Sequence, residues 1–460
     1  MGYNALDNAK MNSLHKKITA LSVGGTFLDG YDISIISVAL IVMSKPVYGL
    51  TTDFGRAMIA ASTVIGMLFG AILFGYITDL YGRRTMYMYD MVLFIILTAA
   101  EAFSWNFASL FIMRFILGLG LGADYAIGTT IIGEFSPVKY RGKLLVTNVL
   151  SWFLGAAVAS ISGFLLLPLG NQSWRYMFLL GIIPAVIILI LRRDVPESAR
   201  WLANKGKTKE AADVERELTG TTDNLAIIKK DNKNPLKELL SRKYLKSLLF
   251  VGIFWFTFDA SFYGISIFSP TILELLGLKA RMAVLGSAVF DMFAILGSVI
   301  AILLIDRIGR KGITIIGFSG MVVSLAALGI ITFYVPNKSA FITDGVLIFA
   351  MFLIFYVTEA IGTGSTDFVY PIELFPTEDR ATAQGFGTSV SRIGAILGIT
   401  TFPFIVSIYG FSTSLFFFTG LSVIGLLATV FLATETKGKT LEEINEIEEG
   451  KIKAAKAGAK

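Results

Sequence analysis

The chain has 460 residues, of which 54% are hydrophobic and only 16% charged, with a mean hydropathy of +0.70. A soluble domain rarely works with so little polar surface, so the composition places the chain in a bilayer. The lack of cysteine excludes disulfides, thiolate metal sites and cysteine nucleophiles. The net charge of +6 is what basic membrane loops produce without any nucleic-acid partner.

About 20 apolar residues cross the hydrocarbon core as a helix. That ruler gives spans at 17–43, 57–80, 86–105, 107–133, 144–168 and 175–192, then a polar stretch, 193–245. Six more follow at 246–275, 281–305, 312–335, 340–372, 381–408 and 411–434. The expected fold class is an all-α membrane protein, with twelve transmembrane helices in two six-helix bundles, residues 1–192 and 246–434. Residues 193–245 then form a linker and 435–460 a tail. The first run is too long for a cleavable signal and carries acidic residues. His15, the one histidine, precedes the first span and reads as interfacial. In the linker, Glu210 to Glu217 with nearby lysines suggests an amphipathic helix. The linker is too short for a catalytic domain, and no GxxxxGK[ST] loop is present, so neither an enzyme nor an ATP-driven pump is expected.

Loop charge sets the orientation. Lys16 and Lys17 precede span 1, Arg83 and Arg84 follow span 2, and Lys139, Arg141 and Lys143 follow span 4. The linker, then Arg307, Arg310 and Lys311, then the tail continue the series. The alternate loops carry little positive charge, for example Lys45, Arg175 and Lys338. Both termini are therefore expected on the cytoplasmic side of the cell membrane.

The halves repeat each other. Gly75-Tyr-Ile-Thr-Asp79-Leu-Tyr-Gly82-Arg83-Arg84 after span 2 answers Asp306-Arg-Ile-Gly309-Arg310-Lys311 after span 8. Glu134-Phe-Ser-Pro137-Val-Lys-Tyr-Arg141-Gly142 after span 4 answers Glu373-Leu-Phe-Pro376-Thr-Glu-Asp-Arg380 after span 10. Two patterns recurring in order, half a chain apart, indicate a duplicated six-helix unit, a common construction in secondary transporters. Their carboxylates and arginines can form a charge lock at the helix ends, pairing across the bundles in one state and parting in the other. Asp79, Arg83, Arg84, Glu134, Arg141, Asp306, Arg310, Glu373 and Arg380 are the gating candidates. The plainer reading is that the arginines only fix topology.

Ionisable groups at membrane depth are costly and mark function by default. They are Asp29 and Asp32 in span 1, Arg114 and Asp124 in span 4, Asp259 in span 7 and Asp291 in span 8. Glu359 and Asp367 follow in span 10 and Arg392 in span 11. With no histidine among them, a proton-coupled cycle would run on carboxylates. Trp255, Asp259 and Tyr263 recur at i, i+4 and i+8, so they stack on one helix face. The aspartate between the rings argues that this face avoids lipid. Arg392 suits a carboxylate or phosphate through bidentate hydrogen bonds; its other reading is a partner for Asp367 or Glu359.

The repeated loop motifs resemble those of the major facilitator superfamily, although Ile302 replaces the leading glycine in the second copy. The chain resembles both its sugar porters and its phosphate:proton and organic-ion symporters. The carriers of that likeness are Arg114-Phe-Ile-Leu-Gly118-Leu-Gly120-Leu-Gly122, Pro196-Glu-Ser-Ala-Arg200-Trp201 and Glu435-Thr-Lys437-Gly438. The resemblance implies two bundles rocking around a central site. It implies that Asp32 carries the proton and pairs with Arg114, with Asp29 one turn away. Gly122-Ala-Asp124-Tyr125 resembles the phosphate symporters' segment in which the aspartate carries protons and the tyrosine touches the anion. The span 7 face resembles their substrate wall. The sugar porters' glutamines in span 5 and their glutamines and asparagine in span 7 are missing, which counts against hexose. Trp152 and Gly364 stand where phosphate symporters have glutamine and asparagine, which counts against phosphate itself.

The sequence reading is a proton-coupled symporter for a small anion, phosphate or an organic carboxylate, working by alternating access. It needs no cofactor beyond the coupling proton and acts as a monomer in the bilayer. Tyr125, Trp152, Trp255, Asp259, Tyr263, Asp367 and Arg392 are the expected substrate contacts. A sugar:proton symporter, a non-transporting sensor and an uncoupled facilitator are the alternatives.

Overall fold

The computed structural model describes residues 9–43, 47–220, 241, 244–334, 340–375 and 380–437. Within these ranges the side chains of Asp79, Glu134, Arg141 and Arg380, all gating candidates, lie outside the described residues. Twelve helices among the described residues are long and apolar enough to cross a membrane. In the first half they are α1 Ser13–Val42, α2 Asp53–Tyr81, α3 Arg83–Ala102, α4 Phe107–Phe135, α5 Val138–Leu166 and α6 Ser173–Arg192. In the second they are α7 Leu245–Ser266, α8 Ala280–Ile308, α9 Arg310–Tyr334, α10 Ala340–Ile361, α11 Arg380–Tyr409 and α12 Phe411–Leu432. Short helices Ala199–Asn204 and Thr208–Thr219 occupy the described part of the linker.

Local chemistry places the helix starts. Asn12 accepts the His15 backbone N–H at 2.9 Å, and the His15 ring reaches back to the Asn12 backbone, closing a capping box on α1. His15 is thus a buried capping residue at the start of α1. Asn106 and Ser109 form the same box on α4. Span 10 is not one helix. The chain bends at Gly362 and resumes in the short segments Thr363–Thr366 and Val369–Leu374. Such breaks free backbone groups and are tolerated at membrane depth where protein surrounds them; every residue of Thr363–Thr366 is buried.

Glycine lets α2 and α4 cross closely. A Cβ on Gly66 would strike the Phe115 carbonyl and lie 2.9 Å from the Gly118 Cα. The two halves meet chiefly through α2 against α11 and α5 against α8. Along the second seam the Arg281 guanidinium lies 4.4 Å from the Phe164 ring, Ser160 donates to Asp291 at 2.9 Å, and Lys143 stands 3.5 Å from Asp306.

The loop motifs are built alike in both halves. Gly82 at φ 99° and Gly309 at φ 93° turn the chain directly into α3 and α9, a backbone conformation that suits glycine. Each following helix start is capped from afar. Glu197 accepts the backbone N–H groups of Arg83 at 2.9 Å and Arg84 at 3.1 Å. Glu435 accepts those of Arg310 at 2.9 Å and Lys311 at 3.0 Å. A carboxylate on free N–H groups at a helix N-terminus satisfies orphan donors and meets the positive end of the dipole.

Among the described residues the charge-lock candidates show one pairing across the bundles, Asp306 with Lys143 at 3.5 Å, beside several within the second half. Arg310 binds Glu373 with Nε at 3.0 Å and Nη2 at 2.8 Å, and Asp306 at 3.2 Å, all inside the second half. Thr436 donates to the same Glu373. The Arg84 guanidinium donates to the Arg193 carbonyl at 2.9 Å, and Arg83 is buried.

Replacing Glu435 with alanine leaves two helix N–H donors without their acceptor. Glu435→Ala should destabilise the protein by about 1–3 kcal/mol, the cost of stranding buried donors. The thermal midpoint in detergent reads it; a midpoint equal to that of the parent would mean that water caps α9 equally well.

Candidate functional site

Among the described residues three guanidiniums lie fully inside the bundles, and each is the hub of a cluster. Arg114 on α4 donates to Glu101 of α3 at 3.2 Å and to Asp32 of α1 at 3.4 Å, with its guanidinium 5.6 Å from the Phe178 ring. All three charged side chains are at most 2% exposed.

Arg192, the last residue of α6, holds the second cluster. It donates to Asp124 of α4 at 3.0 Å, to Asp90 of α3 at 3.2 Å and to the Tyr87 carbonyl at 2.9 Å, lying over the Tyr87 ring at 3.4 Å. Gly25 lets α1 pass: a Cβ there would sit 2.5 Å from an Arg192 nitrogen. Asp29 looks onto this cluster across a small cavity that Asp90 and Asp124 also line. Both of its carboxyl oxygens are buried without a hydrogen-bond partner among the described residues.

The third hub lies where the halves meet. Arg392 on α11 donates to the Tyr263 hydroxyl at 3.2 Å and stands 3.6 Å from Asp259, both on α7. Ser391 donates to the same Asp259 oxygen. The guanidinium also lies 4.8 Å from the ring of Tyr125 on α4 of the other half, and 5.3 Å from that of Tyr263. Trp152 of α5 meets Tyr263 edge-on at 6.1 Å. Phe368, at the α10 break, packs against Tyr125 at 5.6 Å and Trp255 at 5.9 Å. Asp367 accepts the Phe368 backbone N–H at 2.6 Å. The face carrying Trp255, Asp259 and Tyr263 is buried against α11: a Cβ on Gly387 would meet the Trp255 ring at 2.5 Å.

The seven expected substrate contacts therefore gather around Arg392. Its ion-pair partner is Asp259, and neither Glu359 nor Asp367 forms an ion pair with it. Asp32, Arg114, Asp29 and Asp124 divide between two clusters one helical turn apart along α1. Three members of those clusters, Asp90, Glu101 and Arg192, are not singled out by the sequence reading. The rule that flags Asp32 reaches Asp90 and Glu101 too, since both sit inside the third apolar run. Arg192 closes the sixth apolar run, 175–192, next to the polar linker, and it is fully buried. Phe368 carried no sequence signal beyond its place after Asp367.

Residues 17–447 match the family profile described as sugar (and other) transporter. The chain belongs to this family. It is 34% identical to YaaU of Escherichia coli (strain K12), whose name assigns it to metabolite transport, over 95% of this chain and 96% of that one. It is 29% identical to the arabinose-proton symporter of Bacillus subtilis (strain 168), over 93% of each chain. Its fold matches that of the major facilitator proton:xylose symporter XylE of E. coli, at a TM-score of 0.79 and 24% identity, covering 95% of this chain and 99% of that one. The protein is thus a multi-pass transporter of the major facilitator fold for a small molecule, and not an enzyme.

Arg114 gives a test of the first cluster. Removing one partner of a buried ion pair costs about 3–5 kcal/mol because the other charge is left uncompensated. Arg114→Gln should show that loss as a lowered unfolding midpoint in detergent, and adding Asp32→Asn with Glu101→Gln should recover much of it. No recovery in the triple variant would mean that Arg114 stabilises through packing alone.

Proposed function

We propose that the protein is a proton-coupled symporter for a small metabolite bearing a carboxylate or phosphate group. The observation that carries the reading is Arg392. It is a fully buried guanidinium at the junction of the two halves, framed by a tyrosine from each and opposed by a single carboxylate at 3.6 Å. A planar guanidinium is preorganised for a bidentate oxyanion. A substrate oxyanion arriving there takes donors that Asp259 now occupies, and Asp259 keeps the Ser391 hydroxyl as its alternative partner. Because groups from both halves touch the substrate, binding is sensitive to their relative rotation, as alternating access requires.

Coupling to protons rests on the first half. Asp32 shares Arg114 with Glu101, and Asp29 has neither an ion pair nor a hydrogen bond among the described residues. Carboxyls at membrane depth without a dedicated counter-charge are suited to loading and unloading a proton as the bundles move. In this reading the basic loops and both termini face the cytoplasm, and the protein works as a monomer with the proton as its coupling ion.

Sugar:proton symport is the second reading, favoured by the family and by the arabinose-proton symporter among the relatives. Purified protein in liposomes under an imposed pH gradient separates the two. Uptake of carboxylates or phosphate, lost in Arg392→Gln, supports the first; uptake of pentoses or hexoses with no response to carboxylates or phosphate overturns it. Asp32→Asn should abolish accumulation driven by the pH gradient while leaving exchange across the membrane. Undiminished accumulation in that variant would remove Asp32 from the coupling mechanism.

A further inference from the structure

The charges around Arg392 do not balance. Around the one guanidinium the same half buries three carboxyls, Asp259 against it and Asp367 and Glu359 beyond, none more than 8% exposed. Asp259 takes the arginine. Asp367 lies within electrostatic reach of Asp259 and Arg392, and Glu359 within reach of Asp367 and Asp259. Neither Glu359 nor Asp367 forms an ion pair among the described residues. Oε2 of Glu359 is buried, at 1% exposure for the residue, with no hydrogen-bond partner.

Glu359 sits at the end of the long part of α10, just before the break. A Cβ on Gly364 would strike its Oε1 and lie 3.6 Å from the Phe258 ring. The surroundings are aromatic. Trp255 and Phe258 come from α7, Phe368 follows Asp367, and Tyr125 closes on Phe368 from the other half. Phe258 packs between Phe254 and Phe262 at 6.3 and 5.9 Å. Carboxyls without cations beside aromatic rings are the arrangement that recognises an ammonium group, and quaternary or aromatic cations best of all.

We propose that Glu359 and Asp367, with Trp255, Phe258 and Phe368, bind the positive end of a zwitterionic substrate whose carboxylate lies on Arg392. The inference rests on the anion reading of Arg392 and narrows it to a class: a carboxylate joined to a quaternary ammonium or a pyridinium. Such a substrate supplies the missing positive charge at one end. At the other it competes with Asp259 for the guanidinium.

Isosteric probe pairs that differ in charge alone test it. Glycine betaine matches tert-butylacetate, and N-methylnicotinate matches meta-toluate. Binding to purified protein is followed by tryptophan fluorescence and by calorimetry. At least one zwitterion should bind more tightly than its uncharged-head partner by about tenfold or more, the range a desolvated cation–π contact reaches. Glu359→Gln should bring that ratio close to unity, and Glu359→Asp should restore part of it. Asp367→Asn gives a second variant if Glu359→Gln lowers the thermal midpoint. Equal affinity within each pair, lost in Arg392→Gln, would overturn the cation pole and leave the anion reading standing. No binding by any probe, with binding of arabinose or xylose, would overturn both. A preference that survives Glu359→Gln and Asp367→Asn together overturns the assignment to these two residues.

Discussion

A charge inside a bilayer must bring its compensation with it, and this requirement organises the interior of the protein. Away from the loop motifs and among the described residues, the first half buries five carboxyls, Asp29, Asp32, Asp90, Glu101 and Asp124, against two guanidiniums. The second buries four, Asp259, Asp291, Glu359 and Asp367, against one. Each half therefore carries three carboxyls more than it has cations. A stable, inert membrane protein has no use for such an excess, because each unmatched carboxyl must hold a proton, find a neutral donor or face a cation from outside. Asp291 takes the neutral donor, Ser160 of the opposite half. Asp29 and Glu359 have oxygens with no donor among the described residues. The proposed proton carriers of the first half and the proposed ligand site of the second would each relieve this excess.

The clusters also explain why the helices are assembled as they are. Arg114 joins α1, α3 and α4, and Arg192 joins α3, α4 and α6. Lipid supplies no hydrophobic drive between helices, so polar contacts and close small-residue packing carry much of the association. Gly25 leaves room on α1 for the Asp124–Arg192 pair, and Gly66 and Gly118 let the backbones of α2 and α4 approach closely. At the helix ends the same economy appears twice. Glu197 and Glu435 come from segments that follow the sixth and twelfth helices, and each caps the helix start after a positive-φ glycine. The clip ties the end of each half to its own second loop, so each bundle can move as a body.

Much of the fold is legible because run length and loop charge are local properties. The spans at 17–43 and 281–305 differ from Ser13–Val42 and Ala280–Ile308 by a few residues, since caps such as Asn12 lie outside the apolar run. The span at 340–372 hides its break: Gly362 and Gly364 are as apolar to a hydropathy window as a continuous helix. The span at 246–275 likewise joins α7 to a separate helix, Ser269–Leu275. Pairing is less legible than placement. That Arg392 belongs to Asp259, and not to Asp367 or Glu359, depends on how α7 packs against α11. Nothing in either segment alone specifies that contact. The loop motifs likewise do not tell which pairs form: Asp306 meets Lys143 of the other half, while Arg310 of α9 meets Glu373 of the segment Val369–Leu374 in its own half.

The contact between halves is where conformational change must act, and its chemistry is uneven. At one end of the α5–α8 seam, Lys143 and Asp306 are both about half exposed, with side-chain exposures of 49% and 44%, so solvent screens their attraction and little energy is lost when they part. Midway, Ser160 and Asp291 are buried, and separating them strands a carboxyl unless it finds another partner. At the centre, Tyr125 and Trp152 of the first half face Arg392 and Tyr263 of the second through rings rather than ion pairs. Ring contacts shift by small displacements without leaving a bare charge. The seam is therefore easiest to open at its solvent-exposed end and most costly at Asp291. The proposed substrate site lies between halves whose direct contacts there are soft enough to rearrange around a ligand.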